Sequence, residues 1–400
     1  MKTSNNRTTR QHKEAKRLLY TPITKKALRY CFESHAGQFD KSGIPYANHP
    51  LHLAEQMETE DETVVALLHD VMEDCGKTPD DLRALGISEQ AVEALEMLTH
   101  PEGVPYLDYV RALKNNPLAT KVKLADLKHN SDLTRLDDVR ERDIERLCKY
   151  RESRAILGAP MTPREENAQM IDARIEAGLS LLRKHYAVNE QAVDQVLASP
   201  VIGGRPHHAR RFDIEGVGNL LVMTVKEADE NQLSSFVITP YAKNLPLFST
   251  DYVYSSDKRF FLIELYDLAV HRDDAYRRGI EPFAALASSW DDMPDFPTRP
   301  CWYDDIRPVC IAKAPSREQD EFALRRFLEA LQLFIDMEQN TPALSGEDLK
   351  RKWQLNKDYA DRLIDEGGVS TDLFTEALGA ENTRRFFDEV FFAPACYRSE

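Results

Sequence analysis

The run Leu67-Leu68-His69-Asp70-Val71-Met72-Glu73-Asp74 constrains this chain more than any other. It ends an apolar helical stretch on two metal-ligand side chains, and two more carboxylates follow within one turn. Residues 61–74 read as one helix, with Val64, Val65, Leu67, Leu68, Val71 and Met72 as its apolar stripe. Groups three or four residues apart share a helix face, so His69 lies beside Glu73, and Asp70 beside Glu73 and Asp74. His49 precedes Pro50, and proline is tolerated in the first helical turn, which puts His49 at a helix start with its ring toward a cleft. Asp126 and Asn130 are i,i+4 on the polar side of a helix whose Leu124 and Ala125 are apolar. His49, His69, Asp70 and Asp126 can close around one divalent cation. A mixed nitrogen and oxygen set suits Mn, Fe or Zn better than Mg or Ca. Glu73 and Asp74 stand where a carboxylate would take the proton of an attacking water. Lys41 and Lys123 offer positive charge to a phosphate. Lys128 and His129 read as surface residues or as partners of the ligands.

In order and spacing, residues 24–182 resemble an HD-superfamily metal phosphohydrolase. They are most similar to the hydrolase domain of the Rel/SpoT-type alarmone enzymes and their small stand-alone relatives. The resemblance rests on His35-Ala36-Gly37-Gln38, Lys41-Ser42-Gly43-Ile44-Pro45-Tyr46, His49-Pro50, the His69-Asp70 run with Glu73-Asp74, and Val122-Lys123-Leu124-Ala125-Asp126. Asn130, Thr134, Arg135 and Lys149-Tyr150 continue it. It implies an all-helical domain with one Mn2+, or another divalent transition metal, held by His49, His69, Asp70 and Asp126. Glu73 and Asp74 would act on the water, Asn130 would contact the substrate, and Lys41 and Tyr46 would lie near the nucleotide. The implied reaction removes the 3′-pyrophosphate of (p)ppGpp. The long enzymes usually carry a basic residue where this chain has Asp40, and an Arg where it has Leu127. Asp40 is therefore expected to disfavour a polyanion, and Asp40→Arg to improve its hydrolysis.

The chain has 400 residues and a formal net charge of −15. That length suggests two or three domains. The charge argues against broad nucleic-acid binding, which needs a basic face. A polyanionic nucleotide would have to be drawn in by a local basic pocket and the metal. Six cysteines are scattered without a CxxC pair and read as reduced thiols of a cytoplasmic protein. Residues 1–16 are polar and basic, a frayed start rather than a secretory signal. No run approaches the roughly 20 apolar residues that span a bilayer.

Residues 24–186 are helical in pattern, with breaks at 41–43, 75–79, 101–105 and 151–162. The last helix, 165–186, has Met170, Ile171, Ile175, Leu179 and Leu182 as its stripe. Two Pro and two Gly in Ser199-Pro200-Val201-Ile202-Gly203-Gly204-Arg205-Pro206 mark a linker. The expected division is an all-α HD domain over 1–195, a linker over 196–206 and an α+β domain over 207–400. His207-His208 read as part of a solvated linker. Short β-prone runs follow at 220–225, 235–239, 251–254 and 259–266, with turns at Asn244-Leu245-Pro246 and Ser255-Ser256-Asp257-Lys258, and 309–312 adds a strand. Helices are expected at 280–290, 316–338, 346–364 and 372–392. Strands followed by segregated helices mean an antiparallel sheet with flanking helices.

Asn244-Leu245-Pro246-Leu247-Phe248-Ser249-Thr250-Asp251, Glu376-Ala377-Leu378-Gly379 and Phe386-Phe387-Asp388-Glu389-Val390-Phe391-Phe392 are similar to the ferredoxin-dependent bilin reductases. That resemblance implies a sheet between helical layers, a bilin in the cleft, and Asp251 as proton donor. The His that many members carry on the preceding strand is absent, and its place falls near Ser234. Two readings from other classes follow: a bilin-binding reductase with a regulatory HD half, and a non-catalytic nucleotide sensor.

Overall fold

The computed structural model describes residues 20–228, 231–255, 258–290, 292–368 and 371–398. The polar stretch 1–16 and the turn residues Ser256 and Asp257 lie outside the described residues. The chain forms two compact units that divide between Met161 and Thr162.

The first unit is helical: α1 (Pro22–Ser34), α2 (Asn48–Ala54), α3 (Glu60–Leu68), α4 (Val71–Cys75), α5 (Pro79–Ala84), α6 (Glu89–Leu98), α7 (Tyr106–Leu113), α8 (Pro117–Asn130) and α9 (Glu141–Ile156). Capping boxes start α1 (Thr21 with Thr24), α3 (Thr59 with Glu62) and α5 (Thr78 with Asp81). Each satisfies backbone N–H groups that a helix start leaves without partners. In α3 the six residues Thr63, Val64, Val65, Ala66, Leu67 and Leu68 are all buried. A helix apolar on every side belongs in the middle of a bundle, and α3 packs against α1, α2, α6 and α8. The expected single helix over 61–74 is instead two, α3 and α4, with a turn at His69 and Asp70. The break expected at 151–162 is shorter, because α9 runs on to Ile156.

The second unit opens with α10 (Pro163–Arg183), the helix expected to close the first. Its stripe is fitted to the sheet instead. Gly178 lies so close to Phe236 and Phe327 that a Cβ there would come within 2.8 Å of the Phe327 ring. Asn167 Nδ2 donates to Gln232 Oε1 at 2.9 Å, and Arg174 Nη2 donates to Thr250 Oγ1 at 2.7 Å. The chain continues through β1 (Val188–Gln191), α11 (Gln195–Ala198), β2 (Val201–Ile202), β3 (Arg205–Pro206), β4 (His208–Ile214), β5 (Gly218–Val225), β6 (Gln232–Pro240), β7 (Leu247–Tyr254), β8 (Arg259–Tyr266), α12 (Asp274–Ser288) and β9 (Val309–Lys313). It ends with α13 (Asp320–Gln339), α14 (Gly346–Asp365) and α15 (Thr371–Phe386).

The expected linker over 196–206 is structure. Gly203 and Gly204 have φ of +56° and +75° and join β2 to β3 in a tight hairpin. Two central residues with positive φ are what such a turn demands, so the Gly and Pro content here marks a hairpin. Ile202 is buried among Leu221, Phe374 and Phe387. His207 is buried too, with Nδ1 2.9 Å from the Arg205 carbonyl.

Seven strands form one antiparallel sheet in the order β1-β4-β5-β6-β7-β8-β9. Helices cover both faces. Phe236 and Phe248 meet Phe327 and Phe334 of α13 on one face. Leu221, Val237 and Leu247 pack with Tyr359 of α14 and Phe386 of α15 on the other. Beyond β9 the strand-like segment Pro294-Asp295-Phe296 pairs with it. Phe296 N donates to the Ala312 carbonyl at 2.9 Å and Ala314 N to the Pro294 carbonyl at 2.7 Å.

Candidate metal centre

The turn between α3 and α4 creates the site. His69 ends α3 at φ −60°, ψ −28°, and Asp70 opens α4 at φ −103°, ψ −5°. On a regular helix neighbouring side chains diverge by roughly 100°. Here His69 Nε2 and Asp70 Oδ2 are 2.9 Å apart. His49, in the first turn of α2, brings Nε2 to 3.8 Å from Asp70 Oδ2 and 3.2 Å from Asp126 Oδ1. Asp126, on the last turns of α8, has Oδ1 3.9 Å from His69 Nε2. His49, His69 and Asp126 are buried and share metal-ligand spacing, and Asp70 is partly exposed beside them.

The remaining atoms of these side chains are engaged. His69 Nδ1 lies 2.9 Å from the Ala66 carbonyl. A carbonyl only accepts, so Nδ1 carries a proton and Nε2 is the nitrogen left for a metal. That Nε2 is buried without a hydrogen-bond partner. His49 Nδ1 is 2.6 Å from His129 Nδ1, and the two rings stack at 4.8 Å. Burial, and then the Arg135 guanidinium, push the His129 imidazole down to about 3. Neutral His129 can therefore accept from His49 Nδ1–H, which turns the His49 Nε2 lone pair inward as well. Lys123 Nζ donates to Asp126 Oδ2 at 2.8 Å and Asn130 Nδ2 to Oδ1 at 2.6 Å. Burial acts to raise the Asp126 carboxyl, but Lys123 and the two imidazoles hold it below the usual range. Burial likewise acts to lower the His69 imidazole, and Asp70 with Asp126 raise it to about 9. The carboxylates make this a place for positive charge. Two inward imidazole nitrogens, one of them the orphaned His69 Nε2, and two carboxylates fit a divalent cation.

The other expected residues separate into groups. The Tyr46 hydroxyl donates to Asp70 Oδ2 at 2.7 Å, so Tyr46 positions a ligand. Asp74 is exposed, and burial of its surroundings together with Asp70 and Glu73 raises its carboxyl above the usual range. Glu73 is also exposed, but its Oε2 accepts the His100 backbone N–H at 3.1 Å. Lys123 is committed to Asp126, and Lys41 pairs with buried Asp143. Asp40 does not face the site unopposed. Its Oδ1 accepts from Ser42 N and Ile44 N, each at 2.9 Å, and its Oδ2 lies 3.7 Å from Arg135 Nη2. Asp40→Arg would break that loop brace and set Arg against Arg, so the improvement expected from the sequence does not follow.

Of the two alternatives left open for His129 the structure gives the second, a bond to His49, and the sequence names His35 without a role. His129 follows Asp126 by three residues and so shares its helix face. That spacing was the available signal for its bond to His49. His35 is buried against the Tyr46 ring at 4.9 Å, with Nδ1 2.7 Å from Gln38 Oε1. Gln38 Nε2 donates on to the Asp74 carbonyl at 3.3 Å.

In the second unit, Asp251 lies on the α14 side of the sheet. Its register partner on β6 is Ser235, whose hydroxyl donates to Asp251 Oδ1, and Ser235 adjoins Ser234, near which the place of the absent His falls. Burial raises the Asp251 carboxyl above its ordinary value, against the Ser235 bond and Arg174.

No protein-family model matches the chain. A GTP pyrophosphokinase of Myxococcus xanthus is 34% identical over 125 residues, which is 27% of this chain and 16% of that protein. A probable GTP pyrophosphokinase of Mycobacterium leprae (strain TN) is 30% identical over 131 residues, 30% of this chain and 17% of that protein. The chain thus spans only 16–17% of the length of these curated relatives. Among solved structures, phytochromobilin synthase from tomato in complex with biliverdin superposes with a TM-score of 0.48 at 11% identity, over 56% of this chain and 84% of that one. A metazoan ortholog of SpoT that hydrolyses ppGpp superposes with a TM-score of 0.31 at 19% identity, over 41% of this chain and 97% of that one. Both scores are below 0.5, and the description of the fold rests on the strand order and helix packing given above.

Proposed function

We propose that residues 20–161 form an HD-type phosphohydrolase that depends on Mn2+ or a similar transition metal and acts on a nucleotide, with (p)ppGpp 3′-pyrophosphate hydrolysis as its reaction. One observation carries this reading. His49 Nε2, His69 Nε2, Asp70 Oδ2 and Asp126 Oδ1 converge, and the His69 nitrogen is buried and otherwise unbonded. Similarity of part of the chain to GTP pyrophosphokinases supports a guanine polyphosphate as the substrate class. That similarity bears on substrate and not on direction. The choice of hydrolysis comes from a metal-ligand set with a raised carboxyl next to it. Six free cysteines, and no described helix long and apolar enough to cross a membrane, accord with a cytoplasmic setting.

A bound cation would supply Lewis acidity toward a phosphoryl oxygen and make a nearby water more acidic. Asp74, with its raised carboxyl, takes the proton of the attacking water. Glu73, fixed by the His100 amide, adds the negative charge that keeps Asp74 receptive. Tyr46 orients Asp70, and Lys123 orients Asp126. Asn130 and the half-exposed Lys41 are the groups proposed to touch the nucleotide. The test is phosphate or pyrophosphate release from a nucleotide panel including ppGpp, with added Mn2+. The full chain and a chain truncated after Met161 should both be active, and EDTA should silence both. No release from any nucleotide, or equal release in EDTA, would overturn the reading.

A second reading concerns the other unit. Around Asp251 the same sheet face carries Leu233, Val253, Phe260 and Leu262, all partly exposed. An apolar strip beside a buried carboxyl raised above its ordinary value suits a flat apolar ligand with a basic nitrogen, and we propose a bilin there. Biliverdin absorbance should shift on mixing with the protein and shift less with Asp251→Asn. An unchanged spectrum with the parent protein would leave this unit as an accessory domain.

A further inference from the structure

Arg174 on α10 is a buried cation with too few partners. The Tyr252, Phe261 and Phe327 rings enclose its guanidinium, with centroids 5.2, 4.8 and 4.5 Å away. Nη2 donates to Thr250 Oγ1, but Nε and Nη1 are buried without a hydrogen-bond partner. Among the described residues no carboxylate pairs with it. Burial pushes the guanidinium down to about 10, so it stays charged at neutral pH. Ring faces attract a cation. They do not replace the acceptors that these nitrogens gave up on leaving water, and a buried donor left unpaired costs its full desolvation.

The sheet supplies a second orphan at the same place. Ser234 on β6 is directly opposite Tyr252 on β7, the residue over whose ring Arg174 lies. Opposed residues of neighbouring strands share a face, with Cβ atoms about 4.5–5.5 Å apart. Ser234 is fully buried, and its Oγ has no hydrogen-bond partner. A guanidinium and a hydroxyl thus hold unused donors beside one tyrosine ring. The neighbouring cations are balanced, Arg259 by Asp320 and Arg326 by Glu329. One positive charge is left over.

We propose that Arg174 and Ser234 hold a monovalent anion of halide size, chloride, between α10 and the sheet. One negative charge matches the surplus, and no second cation stands free there for sulfate or phosphate. Guanidinium is weakly hydrated for a cation, which favours such a dry contact. Successive residues of a strand point to opposite faces, so this site and Asp251 lie on opposite sides of β7. The proposal therefore does not rest on the bilin reading. It bears on Asp251 all the same, because Arg174 acts against the rise of that carboxyl and an anion beside Arg174 offsets the action.

The experiment is a chloride titration of the full chain followed by chlorine NMR line broadening. Thermal unfolding in sodium chloride and in sodium gluconate at equal ionic strength accompanies it, gluconate being too large to enter. The parent should show saturable broadening. At chloride about ten times the dissociation constant, the midpoint of the second unit should rise by roughly 3–6 °C over gluconate. Ser234→Ala should weaken binding about 2–10-fold, the worth of one hydrogen bond. Arg174→Met should abolish the saturable broadening and make the two salts equivalent. Methionine suits a cage of rings, and replacing a buried charge by an apolar side chain is often tolerated. A parent without saturable broadening, or an Arg174→Met chain that binds like the parent, overturns the site. Should Arg174→Met not fold, a Ser234→Ala chain with parent affinity overturns it.

Discussion

Asp70→Ala removes metal-dependent turnover and leaves the helical fold in place. Asp70 sits at the turn between α3 and α4, partly exposed, and makes no side-chain cap to its own helix. Its carboxylate takes the Tyr46 hydroxyl and faces the two imidazoles, and the apolar core built on α3 does not depend on it. Losing a partner one shell out from a metal typically costs about 10–100-fold in affinity or activity. Loss of a direct ligand should exceed that. Elemental analysis should find one transition-metal ion per parent chain and well under one in Asp70→Ala, with unchanged far-UV circular dichroism. A variant that keeps its metal and its rate would remove Asp70 from the ligand set.

The second large effect separates two adjacent carboxylates. Asp74→Asn should retain the metal and lose about 10²–10⁴-fold in rate, the usual contribution of a general acid or base. Glu73→Gln should lose less, because Glu73 is already committed to the His100 amide while Asp74 carries the raised carboxyl. Single-turnover rates at saturating Mn2+ would measure both. If Asp74→Asn turned over at close to the parent rate, this pair would be only a solvated helix face.

Much of this was legible because periodicity reports burial. The apolar run 64–68 before His69 read as helix, though as a stripe rather than a helix buried all round, and the strands at β5, β7, β8 and β9 announced themselves by β-branched and aromatic residues. What was missed shares a physical cause. Composition says what a segment can do but not what it packs against. The α10 stripe read as the end of the helical unit, although Asn167, Arg174 and Gly178 are matched to the sheet. The Gly203-Gly204 pair read as a linker, because a type I′ turn and a flexible joint both call for glycine. Strand β4 escaped notice because His208, Arg210, Arg211 and Asp213 mask the apolar Ala209, Phe212 and Ile214. At the site, residue types were readable and their partners were not. Asp40 read as a charge facing the substrate until its hydrogen bonds to Ser42 and Ile44 placed it in the loop.

The segment paired to β9 determines how the sheet ends. An unpaired strand edge is a template on which another chain can add, and long flat edges lead to aggregation. Here the Pro294-Asp295-Phe296 strap occupies the β9 edge, and Lys313 Nζ reaches Asp295 Oδ1 at 2.7 Å across that pairing. The strap cannot serve as the next template, because Pro294, Pro297 and Pro300 have no N–H to offer. At the other edge β1 is only four residues long, with Asn189 and Glu190 facing solvent. Sheet growth is therefore stopped at one end by proline and at the other by brevity and charge, and this large antiparallel sheet remains a closed object within a single chain.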